Sequence, residues 1–247
     1  MSLTVMSCCT YLTDAAEVAW RPVDYDAHDF VMAVKGRSIN GYAYVPCGGT
    51  IHRIEDSNRD MALDLFAQAV AAHVLNYGLD RAITLVPVPN SRADVCATTA
   101  APRTLEQAQA LARHLGPTAR VADVLRWRSR MLSARALEGP RDPQSLFDEL
   151  LLVGDLPRRV HGAIAAPTRH TVVLVDDVMT SGGHLQAAAA VLRAAETCEI
   201  ACAVVAGRSD KTQVNNPFAV RVEALPDFTP QDSEEATVKG VVFDFDF

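Results

Sequence analysis

Residues 172–184 read VVLVDDVMTSGGH. Four apolar residues suit a buried strand, and Asp176 and Asp177 stand side by side at its C-terminal end. A turn of hydroxyls and glycines follows, and residues 185–195 (LQAAAAVLRAA) read as a helix. Open α/β sheets bind ligands beyond the carboxyl ends of their strands. A helix N-terminus offers free N–H groups to an anion, and carboxylates accept from hydroxyls. A ligand that satisfies both features has hydroxyls and a phosphate, as a ribose 5-phosphate does. A plain helix cap would need neither two acids nor Gly-Gly.

A second candidate lies upstream. Residues 85–92 read LVPVPNSR, a buried strand ending in a turn that proline stiffens. Pro89 opens the turn, and Asn90, Ser91 and Arg92 bring donors for an anion. A third feature is basic. Residues 120–141 hold Arg120, Arg126, Arg128, Arg130, Arg135 and Arg141 against only Asp123 and Glu138. Gly139-Pro140 and Asp142-Pro143 break regular structure after it. Lys35 and Arg37 are further basic candidates. Trp127 is expected to pack in the core.

Other chemistries find little support. The seven histidines show no metal-binding spacing, and of them only His184 falls in a motif. The six cysteines contain no Cys-x-x-Cys pair, which argues against a zinc ribbon. A net charge of −7 gives no reason to expect nucleic acid as a direct ligand. No run of 18 apolar residues predicts a membrane span. The first eleven residues lack the basic start and long apolar core of a signal peptide, so a cytoplasmic location is expected.

The elements that must hold these residues are mostly periodic. Residues 59–77 carry apolar side chains at helical spacing, and residues 103–115 read as a second helix, stopped by Gly116-Pro117. Short apolar runs at 82–88, 171–176 and 199–206 predict buried strands, with another strand at 220–224. Strand and helix alternate at this spacing in an α/β fold: a parallel sheet with helices on both faces. Three regions are expected: a small N-terminal lobe or hood over 1–55, an α/β core over 56–225, and a C-terminal loop and strand over 226–247. The lobe is read as short strands at 5–12, 30–34 and 41–45, antiparallel in arrangement. Strict alternation over 241–247 reads as a strand.

The 172–184 stretch resembles the phosphoribosyl-pyrophosphate (PRPP) signature of the type I phosphoribosyltransferases. The resemblance implies that Asp176 and Asp177 bind the ribose 2- and 3-hydroxyls. Val178, Met179, Thr180, Ser181, Gly182, Gly183 and His184 would then form the 5-phosphate loop. His184 departs from the small residue usual at its position. By the same resemblance, Pro89, Asn90, Ser91 and Arg92 are a pyrophosphate loop with Mg²⁺ alongside. Arg126, Arg128 and Arg130 belong to a loop that closes over the substrate, and with Asp176 and Asp177 they make up the implied catalytic set. The Mg²⁺ is expected to bind mainly through PRPP oxygens, near Asp176 and Asp177, without direct protein ligands.

Within that superfamily the chain looks most like the competence protein F (ComF) group. The matching segments are VMAVKGR (31–37), VPVP (86–89), EQAQ (106–109) and the signature. That group's zinc-binding cysteines are missing here. Two functions are implied. One is transfer of the phosphoribosyl group from PRPP to a nitrogenous base, with loss of pyrophosphate. The alternative is a non-catalytic PRPP- or nucleotide-binding protein, regulatory or accessory to DNA uptake. Homodimers are common in the superfamily, and the resemblance implies that a small variable lobe, here residues 1–55, the C-terminal tail or both, sets the acceptor base.

Overall fold

The fold is taken from a computed structural model, which describes residues 2–13, 18–76, 83–91, 93–96, 103–131, 142–154, 170–195 and 198–231. The expected strand at 241–247 lies outside the described residues. The elements run β1 (Leu3–Leu12), α1 (Pro22–Val34), β2 (Tyr42–Cys47), β3 (Thr50–Glu55), α2 (Asp60–Asn76), β4 (Ile83–Pro87) and α3 (Arg103–Leu115). They continue with β5 (Ala119–Val121), β6 (Leu125–Trp127), α4 (Pro143–Glu149), β7 (Leu150–Leu152), β8 (His170–Met179), α5 (Gly183–Ala195), β9 (Cys198–Asp210) and β10 (Arg221–Leu225).

Six strands form the main sheet in the order β10-β1-β9-β8-β4-β5. All neighbours are parallel except β10, which runs antiparallel to β1 along one edge. The strands read as near-continuous apolar runs because both faces are covered. Val173 and Val175 of β8 pack with α1, α2 and α3, while Val172 and Leu174 pack with α5, α4 and the β6–β7 ribbon. The period of two along the strand thus divides one sheet between two cores. The expected α/β sheet with helices on both faces is the architecture found.

Two N-terminal expectations are corrected. Residues 30–34 are the end of helix α1, not a strand. Ala27, Phe30, Val31 and Val34 are all buried and recur at helical spacing. Pro22 stands in the first turn and the Asp24 carboxylate accepts from the Arg21 backbone N–H and from its Nε, which suits a helix start. The strand expected at 5–12 is real, but as β1 it lies in the main sheet, parallel to β9, not in a small antiparallel lobe. The third expected strand, β2, does form an antiparallel hairpin with β3.

The sheet has a reversal point. From β4 the chain crosses through α3 to β5 on one side, and from β8 it crosses through α5 to β9 on the other. Because β4 and β8 are neighbours, the loops after them diverge and leave a crevice at their carboxyl ends. Sheets of this kind bind ligands there.

Candidate functional site

Asp176 and Asp177 sit near the carboxyl end of β8, which continues to Met179. The Asp176 carboxylate accepts a hydrogen bond from the Asp177 backbone N–H at 2.8 Å. Enclosure by protein raises the Asp176 pKa well above the usual carboxylate range, and the charge of Asp177 adds to it; Lys35 opposes both. The Lys35 ammonium lies 3.2 Å from Asp177 Oδ2. Lys35 caps the C-terminus of α1. That terminus is fixed by α3, since Arg103 Nε and Gln107 Nε2 donate to the Val34 carbonyl at 2.9 and 3.4 Å. Helix-to-helix hydrogen bonds therefore set where the lysine stands against the acids.

The loop after β8 turns on Gly182 at φ +84°. A Cβ there would lie 2.4 Å from Leu225 Cδ1 of β10, so backbone conformation and close approach both require glycine. Arg208 of β9 donates to the Thr180 carbonyl at 2.5 Å and to Glu223 of β10 at 3.0 Å. Gly183 then starts α5, and a helix N-terminus presents backbone N–H groups toward what precedes it.

The loop after β4 is held differently. The Val88 N–H bonds to the Val175 carbonyl, tying the two strand ends together. Thr104 Oγ1 donates to the Val88 carbonyl at 2.8 Å. The indole N–H of Trp127 reaches the Pro89 and Asn90 carbonyls at 3.2 and 2.8 Å.

These loops and acids line one cleft of about 550 Å³. Of the residues singled out in the sequence, it brings together Pro89, Asn90, Ser91, Asp176, Asp177, Val178, Thr180 and His184, with Lys35 and Arg37. Met179 is buried in the core, Gly182 and Gly183 are buried, and Ser181 is exposed; none of the four lines the cleft. Arg92 lies outside the described residues, as do Arg135 and Arg141.

The basic segment is not gathered at this cleft. Arg126 is in β6 and pairs with Asp123 through two bonds of 2.6 and 2.7 Å. Arg128 and Arg130 are exposed, and none of the three lines the cleft. Trp127 is fully buried, as expected.

Tyr11 and His28 complete the wall beyond the acids, and the sequence offered no motif for either. Burial pushes the Tyr11 hydroxyl to a higher pKa, Asp177 and Cys9 push the same way, and Arg37 opposes them. Arg208 and Thr104 were likewise unmarked, because each acts on a loop distant in the chain. Among the described residues no cluster of three or more acids, histidines or cysteines could enclose a metal ion. None of the described helices is long and apolar enough to cross a membrane.

The cleft thus offers two carboxylates flanked by two anion-suited loops, with cations to one side. A family model described as "Phosphoribosyl transferase domain" matches residues 105–234, more than half of the chain. No curated protein matches it.

Proposed function

The chain belongs to the phosphoribosyl transferase domain family, and on that premise we propose that it binds PRPP with Mg²⁺ and transfers the phosphoribosyl group to a nitrogenous base. The observation that carries this reading is the Asp176–Asp177 pair between two loops at the sheet's reversal point. In the reaction the bond from the anomeric carbon to the pyrophosphate oxygen breaks. A bond to the base nitrogen forms, that nitrogen gives up its proton, and pyrophosphate leaves.

Asp176 and Asp177 hold the ribose hydroxyls and lie near the positive charge that builds on the sugar ring. As carboxylates, Asp176 and Asp177 accept from the ribose hydroxyls. The loop at 180–184 takes the 5-phosphate, and Asn90 and Ser91 take the pyrophosphate. Among the described residues, Lys35 and Arg37 are the Lys and Arg side chains that line the cleft and offset phosphate charge. The protein's contribution is positioning and charge neutralisation.

Two acids beside a phosphate-rich ligand suit Mg²⁺, which keeps several waters and binds through one or two carboxylates plus substrate oxygens. Asp176 and Asp177 are the residues that would face it. When bound, it would neutralise the departing pyrophosphate.

A second reading is a PRPP- or nucleotide-binding protein without transferase activity, as in accessory roles of the competence protein F kind. It draws support from Arg126, which is engaged by Asp123, and from the absence of Arg128 and Arg130 from the described cleft wall. Calorimetric titration with PRPP and Mg²⁺, then a screen of bases for pyrophosphate release, separates the two. Mg²⁺-dependent binding with release supports the transferase, and binding without release from any base supports the second reading. No binding of PRPP rejects the transferase, and no binding of PRPP or of a nucleoside monophosphate rejects both.

A further inference from the structure

We propose that Trp127 is a positioning residue that couples the two ligand loops, so that occupation of one prepares the other. The inference rests on the phosphate and pyrophosphate assignments above. Trp127 touches both loops without lining the cleft. Its indole N–H holds the carbonyls of Pro89 and Asn90. The edge-to-face packing of its ring on His184, centroids 5.7 Å apart and planes at 66°, reaches the other loop. Such aromatic pairs have a preferred geometry, so the imidazole and the indole cannot turn independently.

The tryptophan is itself held. Its backbone N–H bonds to the Ala93 carbonyl and its carbonyl accepts from Val95, both at 3.0 Å. The side chain is fully buried in the core that includes Val88, Leu125 and Leu185. A close-packed surround transmits displacement rather than absorbing it. A ligand that draws His184 toward a phosphate therefore loads the ring, and through its N–H the turn that presents Asn90 and Ser91.

The test is the binding of Mg²⁺-pyrophosphate to the full chain, alone and with saturating ribose 5-phosphate, by calorimetry. The ratio of the two affinities is a coupling factor, reciprocal between the ligands. Through-space repulsion between the two anions is common to all variants, so a change in the factor isolates the bridge. Trp127→Phe keeps a ring but loses the indole N–H. His184→Ala loses the ring contact and leaves Trp127 in place. Each variant is expected to lower the coupling factor about fivefold or more, and the double variant is expected to go no further than the more affected single one. A residue that only stabilises the core would lower Tm and leave the factor unmoved, and an unmoved factor in either folded variant overturns the proposal. If Trp127→Phe does not fold, His184→Ala decides alone. Wild-type protein that binds neither ligand removes the proposed site and this coupling with it. Wild-type protein that binds both, with variants unchanged in coupling, overturns the coupling and leaves the site standing.

Discussion

The loop after β8 and the loop after β4 meet in one cleft but are braced by opposite means. The first leans on the sheet's antiparallel edge: Leu225 packs beneath Gly182, and Arg208, paired with Glu223, holds the Thr180 carbonyl. The second is stiffened by its own prolines and held by neutral donors, the Thr104 hydroxyl and the Trp127 indole. The difference has an energetic meaning. Buried neutral hydrogen bonds are costly to leave half-made, so they fix a loop through stability. A partly exposed arginine contributes little to stability and acts mainly by aiming the loop.

The largest test removes what the two loops share. Asp176→Asn with Asp177→Asn should weaken PRPP binding by about a hundredfold or more, roughly 3 kcal/mol, without unfolding the chain; retained affinity in calorimetry would show that the acids do not join the loops into one site. Gly182→Ala comes next. The left-handed conformation alone should cost about 1–2 kcal/mol, with the Leu225 contact added, as read in urea unfolding. A loss under about 0.5 kcal/mol would mean that the edge strand is no brace.

A smaller pair of effects should separate the braces. Thr104→Val should cost about 1 kcal/mol of stability and leave ribose 5-phosphate affinity near wild type. Arg208→Met should do the reverse, weakening ribose 5-phosphate about threefold, under 1 kcal/mol, with little change in unfolding. If both variants lose stability alike, the contrast between the loops collapses.

The smallest effect depends on pH. Burial and then the charge of Asp177 raise the folded pKa of Asp176 above its usual 3.8, so the folded chain binds that proton more tightly than the unfolded one. The stability it gives is complete below about pH 3.8 and is lost as pH rises through the folded pKa. Asp176→Asn keeps an acceptor for the Asp177 N–H and removes the titration. Its Tm relative to wild type should therefore climb from pH 4 to pH 8. A flat difference across that range would show that burial does not govern this acid.

Much of the α/β core was readable because its signals are local. The 103–115 helix has the bounds its periodicity predicts, and the apolar runs at 82–88 and 199–206 became strands. The run FVMAV at 30–34 misled because a short apolar run fits strand or buried helix equally, and the deciding partner one turn back, Ala27, lies outside it. The place of β1 was hidden because its pairing depends on strands near the other end of the sequence. At the site, the acids and both loops stood out as motifs, and one cleft gathers the acids with Pro89, Asn90, Ser91, Val178, Thr180 and His184, while Met179, Ser181, Gly182 and Gly183 lie off its wall. Lys35 gave only a weak signal, since its meaning is a contact with Asp177 across the fold. The arginine segment stood out by composition, yet Arg126 is engaged by a neighbour three residues away, which a charge count cannot foresee.

The position of β1 also bears on how the chain is made. Leu3–Leu12 leaves the ribosome well before its sheet partners, residues such as Ala203 and Leu225. At about 5–20 residues per second, this apolar segment waits on the order of ten to forty seconds for its neighbours. During that time its unpaired backbone is open to any other strand. For these ten residues the nascent chain thus passes through an interval of aggregation risk that the finished sheet no longer reveals.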